Sequence, residues 1–112
     1  MTYFDEDEFT MGGVNVFHMM DEDFLVKLDE LRHRCGFPLS LNSTYRTHSY
    51  NLSVGGSPNS QHLLGKAADV HCEDSRKRAV LVREALNLGL TVGVYQTFVH
   101  VDNRDGQLMF YP

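Results

Sequence analysis

An α+β domain, with a mainly antiparallel sheet packed with two main helices, is predicted by three observations in the 112-residue chain. Two stretches, Asp21 to Gly36 and Ser75 to Leu88, carry apolar residues at helical spacing. Three later runs, Thr91 to Tyr95, Phe98 to Asp102 and Gln107 to Tyr111, are of β type. Helices and hairpin-linked strands come in an order that suggests an α+β domain with a mainly antiparallel sheet. A chain of this length holds one ordinary core, so residues 1 to 112 read as a single domain.

The first twenty residues show little periodicity, and Phe4, Phe9 and Phe17 are their candidate anchors on the core. In the first helix Asp21 suits the N-cap, acids fill the first turn, and Phe24, Leu25, Leu28, Leu31 and Cys35 share one face until Gly36 stops it. Pro38 opens an extended stretch in which Leu39 and Leu41 alternate with Ser40 and Asn42, delivering Ser43 to Arg46 at its end. Residues 47 to 54 suit a short helix, and Gly55 to Asn59 form a loop by composition. Ala67, Ala68 and Val70 flank Asp69 in a short buried strand. The second helix is expected to bury Ala79, Val82 and Leu86, with Leu81 and Ala85 partly covered, and to stop at Gly89. Asp105-Gly106 between the last two strands is a hairpin signal.

A net charge of −5 without a basic cluster argues against nucleic acid or an anionic membrane as the main partner. No apolar run reaches membrane length, so no insertion is expected, and the acidic start is unlike a secretory signal. The chain is therefore expected to be cytoplasmic as synthesised, and monomeric. Cys35 and Cys72, lacking CxxC spacing, read as reduced packing thiols.

Chemistry concentrates in residues 58 to 71. A carboxylate in so apolar a strand as that of Asp69 requires a cation or a basic partner, because an unpaired buried charge is costly. His62 precedes it, and His100 lies in the alternating strand Phe98 to Asp102. Two imidazoles and a carboxylate form a zinc-type set, leaving a fourth position for water and enough charge on one Zn²⁺ to lower that water's pKa from about 15.7 toward 7. Calcium would favour an all-oxygen cage.

Ser60-Gln61-His62-Leu63-Leu64-Gly65-Lys66-Ala67-Ala68-Asp69 resembles the SxHxxGxAxD signature of zinc D-alanyl-D-alanine carboxypeptidases and related phage peptidoglycan peptidases. Ser43-Thr44-Tyr45-Arg46 resembles the family's SxYR segment, and His100-Val101-Asp102 its closing HxD strand, so the resemblance spans about residues 39 to 104. It implies a hedgehog-like α+β fold with His62, Asp69 and His100 as zinc ligands. It also implies that Arg46 engages the substrate's carboxylate or scissile carbonyl and stabilises the oxyanion, a role suited to a fixed guanidinium. Asn51 and Ser60 would bind substrate or orient the site, and the Tyr95 hydroxyl could reach substrate. Asp102 would fix a ligand imidazole or the Arg46 side chain.

The chain departs from the family where many members carry an acidic general base three residues before the last histidine, for here Thr97 stands there, and Phe98 occupies a position that is histidine in some relatives. His71, Asp102 and Asp105 are the alternative bases, His71 because strand alternation gives it the face of Asp69. The implied activity is hydrolysis of peptidoglycan stem peptides by a D-Ala-D-Ala carboxypeptidase or an endolysin-like endopeptidase, consistent with a phage or prophage product that reaches the cell wall on release, or with a catalytic domain cut from a longer protein. The competing expectation is a non-catalytic zinc-binding or virion-associated module with a degenerate peptidase site.

Overall fold

The computed structural model describes residues 1–112 and is built on a five-stranded sheet backed by two helices. A two-stranded hairpin precedes them, β1 (Thr10–Met11) and β2 (Val14–Asn15). Its turn is Gly12-Gly13, both at positive φ, a conformation that side chains rarely adopt and that matches the twist of a two-residue loop. Such short strands carry too little pattern to be read in advance, although the anchoring role of Phe4 and Phe9 holds, for both are buried.

Helix α1 (Glu22–Cys35) starts where the Asp21 carboxylate accepts the Phe24 N–H at 3.0 Å, and it buries Phe24, Leu25, Leu28 and Leu31. Its Asp29 carboxylate accepts the backbone N–H groups of Thr2, Tyr3 and Phe4 at 2.9–3.0 Å, tying down the N-terminal segment. Helix α3 (Ser75–Asn87), capped by Asp74, packs against α1. Its buried residues are Leu81 and Ala85, with Val82 and Leu86 half-buried at the margin and Ala79 exposed. Four of the five expected positions thus lie in or against the core, with Leu81 and Ala85 deeper than expected and Ala79 outside it. Arg78, three residues before Leu81, ties the helix to the strand ends: its guanidinium donates to the carbonyls of Cys72 at 2.6 Å and of Tyr95.

The sheet comprises β3 (Ser40–Ser43), β4 (Ala67–His71), β5 (Thr91–Val94), β6 (Phe98–Asp102) and β7 (Met109–Phe110), in the order β3-β4-β6-β5-β7. All neighbours are antiparallel except β5 and β7, which are parallel. The expected β6–β7 hairpin is thus corrected. Both edges of β6 are taken, by β4 and β5, so the chain after Asp105-Gly106 crosses to the free edge of β5.

Register separates the two faces. The rows Ala68–Val101–Val92 and Val70–Val99–Val94 face the helices and join the apolar core. Between them runs the row Ser43–Asp69–His100–Gly93–Phe110, on the opposite face. Short helix α2 (His48–Ser53) and a 3-10 helix over Gln61–Leu64 close over that face. No helix is long and apolar enough to cross a membrane.

The Asp29 carboxyl is pushed up by burial but pulled down further by its three backbone donors, so its net pKa lies below the ordinary carboxylate value. A depressed native pKa gives stability that is present above about pH 3.9 and lost as pH falls through the native value. The protection factors of the Tyr3 and Phe4 amides should therefore be high at pH 5 and fall only as the pH is taken below about 3.9 and through the lower native value of Asp29. Asp29→Ala should cost roughly 1–3 kcal/mol in urea unfolding and release the same amides at neutral pH.

Candidate metal centre

Three elements deliver three acceptor atoms to one point. Asp69 and His100 are register partners on β4 and β6, and His62 sits in the 3-10 helix, whose start is capped by Ser60 Oγ accepting the His62 N–H at 3.2 Å. Their ligating atoms lie within 4.8 Å of one another, and all three residues are buried. His62 Nε2 is 3.2 Å and His100 Nδ1 2.9 Å from the same oxygen, Asp69 Oδ1.

The far nitrogen of each ring decides what the near one can do. His62 Nδ1 donates to the Thr44 carbonyl at 2.6 Å, and His100 Nε2 donates to Asp102 Oδ2 at 2.7 Å. With those protons committed, a neutral His62 and a neutral His100 turn only lone pairs toward Asp69. Lone pairs facing a carboxylate repel, so the arrangement requires a proton or a metal ion between them. Burial lowers the His100 pKa, but Asp102 and Asp69 more than offset this and raise it. Burial raises the Asp69 carboxyl, while His100 and His62 pull it well below the ordinary range, so it is ionised. A tetrahedral zinc with bonds of about 2.0–2.2 Å keeps its ligand atoms about 3.3–3.5 Å apart, close to the separations here, and the nitrogen and carboxylate donors suit it. The residues fit one Zn²⁺.

Arg46 follows β3. Its Nη2 donates to Asp69 Oδ2 at 3.2 Å, Nη1 to Asn51 Oδ1 at 3.3 Å and Nε to Ser43 Oγ at 3.1 Å. Arg46 thus holds the second oxygen of Asp69 while the first faces the imidazoles. Asn51 is buried, and its amide donates to the Ser57 carbonyl at 2.8 Å, so it positions Arg46 and the Gly55–Asn59 loop and does not line the cavity. Gly56 is pressed onto it: a Cβ there would lie 2.0 Å from Asn51 Oδ1.

The cavity over the centre, about 480 Å³, is lined by His62, Asp69, His100, Arg46, Ser60, Tyr95, Phe98, Arg104 and Phe110 among others. Tyr95 stacks on Phe98 at 4.3 Å, and Phe110 reaches the site because β7 pairs with β5 and Gly93 leaves room for its ring. Burial raises the Tyr95 phenol, the Asp69 charge adds to this, and Arg46 only partly opposes it, so the hydroxyl is a donor at neutral pH. Asp102, fully buried, holds His100 as expected, but its cation is Arg104, with Nε to Oδ1 at 2.9 Å, and not Arg46. Burial raises Asp102, yet Arg104 and His100 bring it down to about 2, which leaves it ionised and unsuited to act as a base.

His71 does not enter the cavity. Alternation gives it the face of Asp69, but it is the last residue of β4, beside Phe98, where its exposed ring pairs with Glu73 at 3.2 Å. Asp105 and Thr97 are also exposed and outside the lining. Arg78, Arg104 and Phe110 escaped the sequence reading. Only the ionic pattern Asp-x-Arg at Asp102 and Arg104 could have signalled one of them.

Thr44 Oγ1 is buried without a partner, whereas its carbonyl holds His62. Thr44→Val should therefore keep zinc binding and leave stability unchanged or raise it by about 1 kcal/mol in thermal unfolding. Gly65 is left-handed at φ 69°, and a Cβ there would lie 2.2 Å from the Met19 carbonyl oxygen. Gly65→Ala should lower unfolding free energy by at least about 2 kcal/mol and weaken zinc binding, since Gly65 links His62 to β4.

The chain is 32% identical over 93 residues to the zinc D-Ala-D-Ala carboxypeptidase of Streptomyces albus G, a match covering 77% of this chain and 36% of that relative. It therefore spans about a third of the relative's length. The Peptidase M15 family matches over residues 3–102, a span containing His62, Asp69, His100, Arg46 and Asp102. On that match, the chain belongs to the Peptidase M15 family.

Proposed function

We propose that the chain is a zinc-dependent peptidase acting on the peptide stems of bacterial peptidoglycan, as a D-Ala-D-Ala carboxypeptidase or an endolysin-like endopeptidase. The observation that carries this reading is the convergence of His62 Nε2, Asp69 Oδ1 and His100 Nδ1 at the floor of a cavity large enough for a peptide segment. Zinc held there would polarise the scissile carbonyl and lower the pKa of a bound water toward about 7.

The remaining work falls to the chain's own groups. Arg46, fixed by Ser43, Asn51 and Asp69, presents positive charge to the oxygen of an amide carbonyl and favours the oxyanion over the planar ground state. Tyr95, braced by Phe98, offers its hydroxyl as a second donor to the same substrate, and Ser60 lines the approach. Asp69 is the only carboxylate in the cavity lining, and it is committed as a ligand. With Thr97 in place of an acidic base, proton uptake from water is left to solvent, which favours slow turnover.

That absence also supports a second reading, a zinc-binding virion or structural module derived from a peptidase. Release of soluble fragments from purified peptidoglycan by zinc-loaded protein separates the two. The peptidase reading expects release, with a loss of at least about a hundredfold in folded His62→Ala and Arg46→Ala proteins and little change in His71→Ala. Stoichiometric zinc without any release by the wild-type protein would favour the module.

A further inference from the structure

A second cleft meets the metal-centre cavity at Arg46, the one residue that lines both. It holds about 430 Å³, the size of a ligand cleft. One wall is the β1–β2 hairpin, with Met11, Val14 and Val16, and the other runs from the end of β3 into α2, with Asn42, Tyr45 and Tyr50. Val14 is 61% and Tyr50 56% exposed, and neither belongs to the apolar core. Apolar groups held open to water in a concave place are unexplained by folding and suit a bound molecule.

The lining decides what kind of molecule fits. It has no carboxylate and no lysine, and its single charge, Arg46, is balanced by Asp69 at 3.2 Å. The other polar groups are neutral: the exposed Asn42 amide, which makes no hydrogen bond within the protein, and the hydroxyls of Ser43, Thr47 and the two tyrosines. Peptidoglycan offers two kinds of surface to such a cleft. Its stem peptide carries carboxylates and an amine, which would lose water here without gaining a partner. Its N-acetylated sugars are neutral, with C–H groups on the ring faces, hydroxyls at the rim and an acetamide methyl, a match for flat tyrosine faces set among neutral hydrogen-bonding groups.

Pairing of a peptide strand with β3 is the alternative way to fill the cleft, since β3 ends the sheet and only β4 adjoins it. The register breaks between Leu41 and Ser43, which leaves Asn42 without a partner on β4. A bulge of this kind disturbs the ladder and discourages addition at an open edge, and here it sets Asn42 at the cleft.

We infer that the cleft binds the N-acetylated glycan to which the stem is attached, so that sugar and peptide fill the two spaces that meet at Arg46. The ligand class, a neutral N-acetylhexosamine, rests on the peptidase reading, while its binding is separable from hydrolysis.

The test has a binding arm and a kinetic arm, both on the zinc-loaded full chain. Binding is followed by NMR titration with di-N-acetylchitobiose, a sugar without peptide. Saturable shifts should centre on Val14 and Tyr50, and Val14→Ser and Tyr50→Ala should each weaken binding by at least about threefold. The kinetic substrates are a disaccharide-pentapeptide from digested peptidoglycan and the same pentapeptide without its sugars. Wild type should prefer the first by about tenfold in kcat/KM, mainly through KM, and the ratio should fall toward one in both variants. Tyr50 adjoins Asn51, which holds Arg46, so Val14→Ser on the hairpin decides if Tyr50→Ala disturbs the centre. No saturable shift at the cleft, or equal cleavage of the two substrates by wild type, overturns the inference and leaves the peptidase reading standing. Equal losses on both substrates in the variants would put peptide in the cleft and overturn it as well. Sugar binding without cleavage of either substrate or of purified peptidoglycan upholds the cleft and overturns the peptidase reading.

Discussion

Two imidazole lone pairs and a carboxylate are forced together in a buried place, and the architecture around them exists to keep them there. Such a convergence is unfavourable without a positive charge at its centre. The surrounding bonds make it worse: Thr44 and Asp102 each take up a ring proton that would otherwise relieve the repulsion. A protein that commits both protons outward has prepared an ion site, since a fixed tautomer and ring orientation are what a metal requires of its histidines.

The sheet supplies the positional accuracy. Asp69, His100 and Gly93 lie side by side on β4, β6 and β5, so the ladder of hydrogen bonds sets the spacing of the Asp69 and His100 side chains. The alternate rows of valines and alanines are buried against α1 and α3, and slippage by one residue would bring charged groups into that core. The same apolar packing that stabilises the domain thus fixes the site's register. Arg78 extends this control to the cavity wall by tying α3 to the backbone of Tyr95.

Much of this was legible in the chain itself. Helix α1 was readable because cap, charge order and apolar stripe agree, and the grouping of His62 and His100 about Asp69 because a carboxylate among Ala67, Ala68 and Val70 needs a positive partner. What escaped depended on contacts between distant segments. The pairing of β7 with β5 follows from β6 having no free edge, a fact of topology and not of local pattern. The tie from Arg78 of α3 to the strand ends was not readable either, because its carbonyl partners lie outside the helix. His71 was assigned by alternation alone, which gives a side of the sheet but not a distance along it. Asp102 was recognised as a support for His100, while its partner Arg104, two residues on, became visible only when its side chain was seen to fold back over the strand end.

A crystal of the protein soaked in zinc, with the anomalous difference map calculated at the zinc edge, tests the account most directly. One peak is expected, about 2.0–2.2 Å from His62 Nε2, Asp69 Oδ1 and His100 Nδ1, with the remaining position open to the cavity beside Arg46. A peak bound elsewhere, coordination through the opposite ring nitrogens, or a fourth protein atom closing the ion off would contradict it.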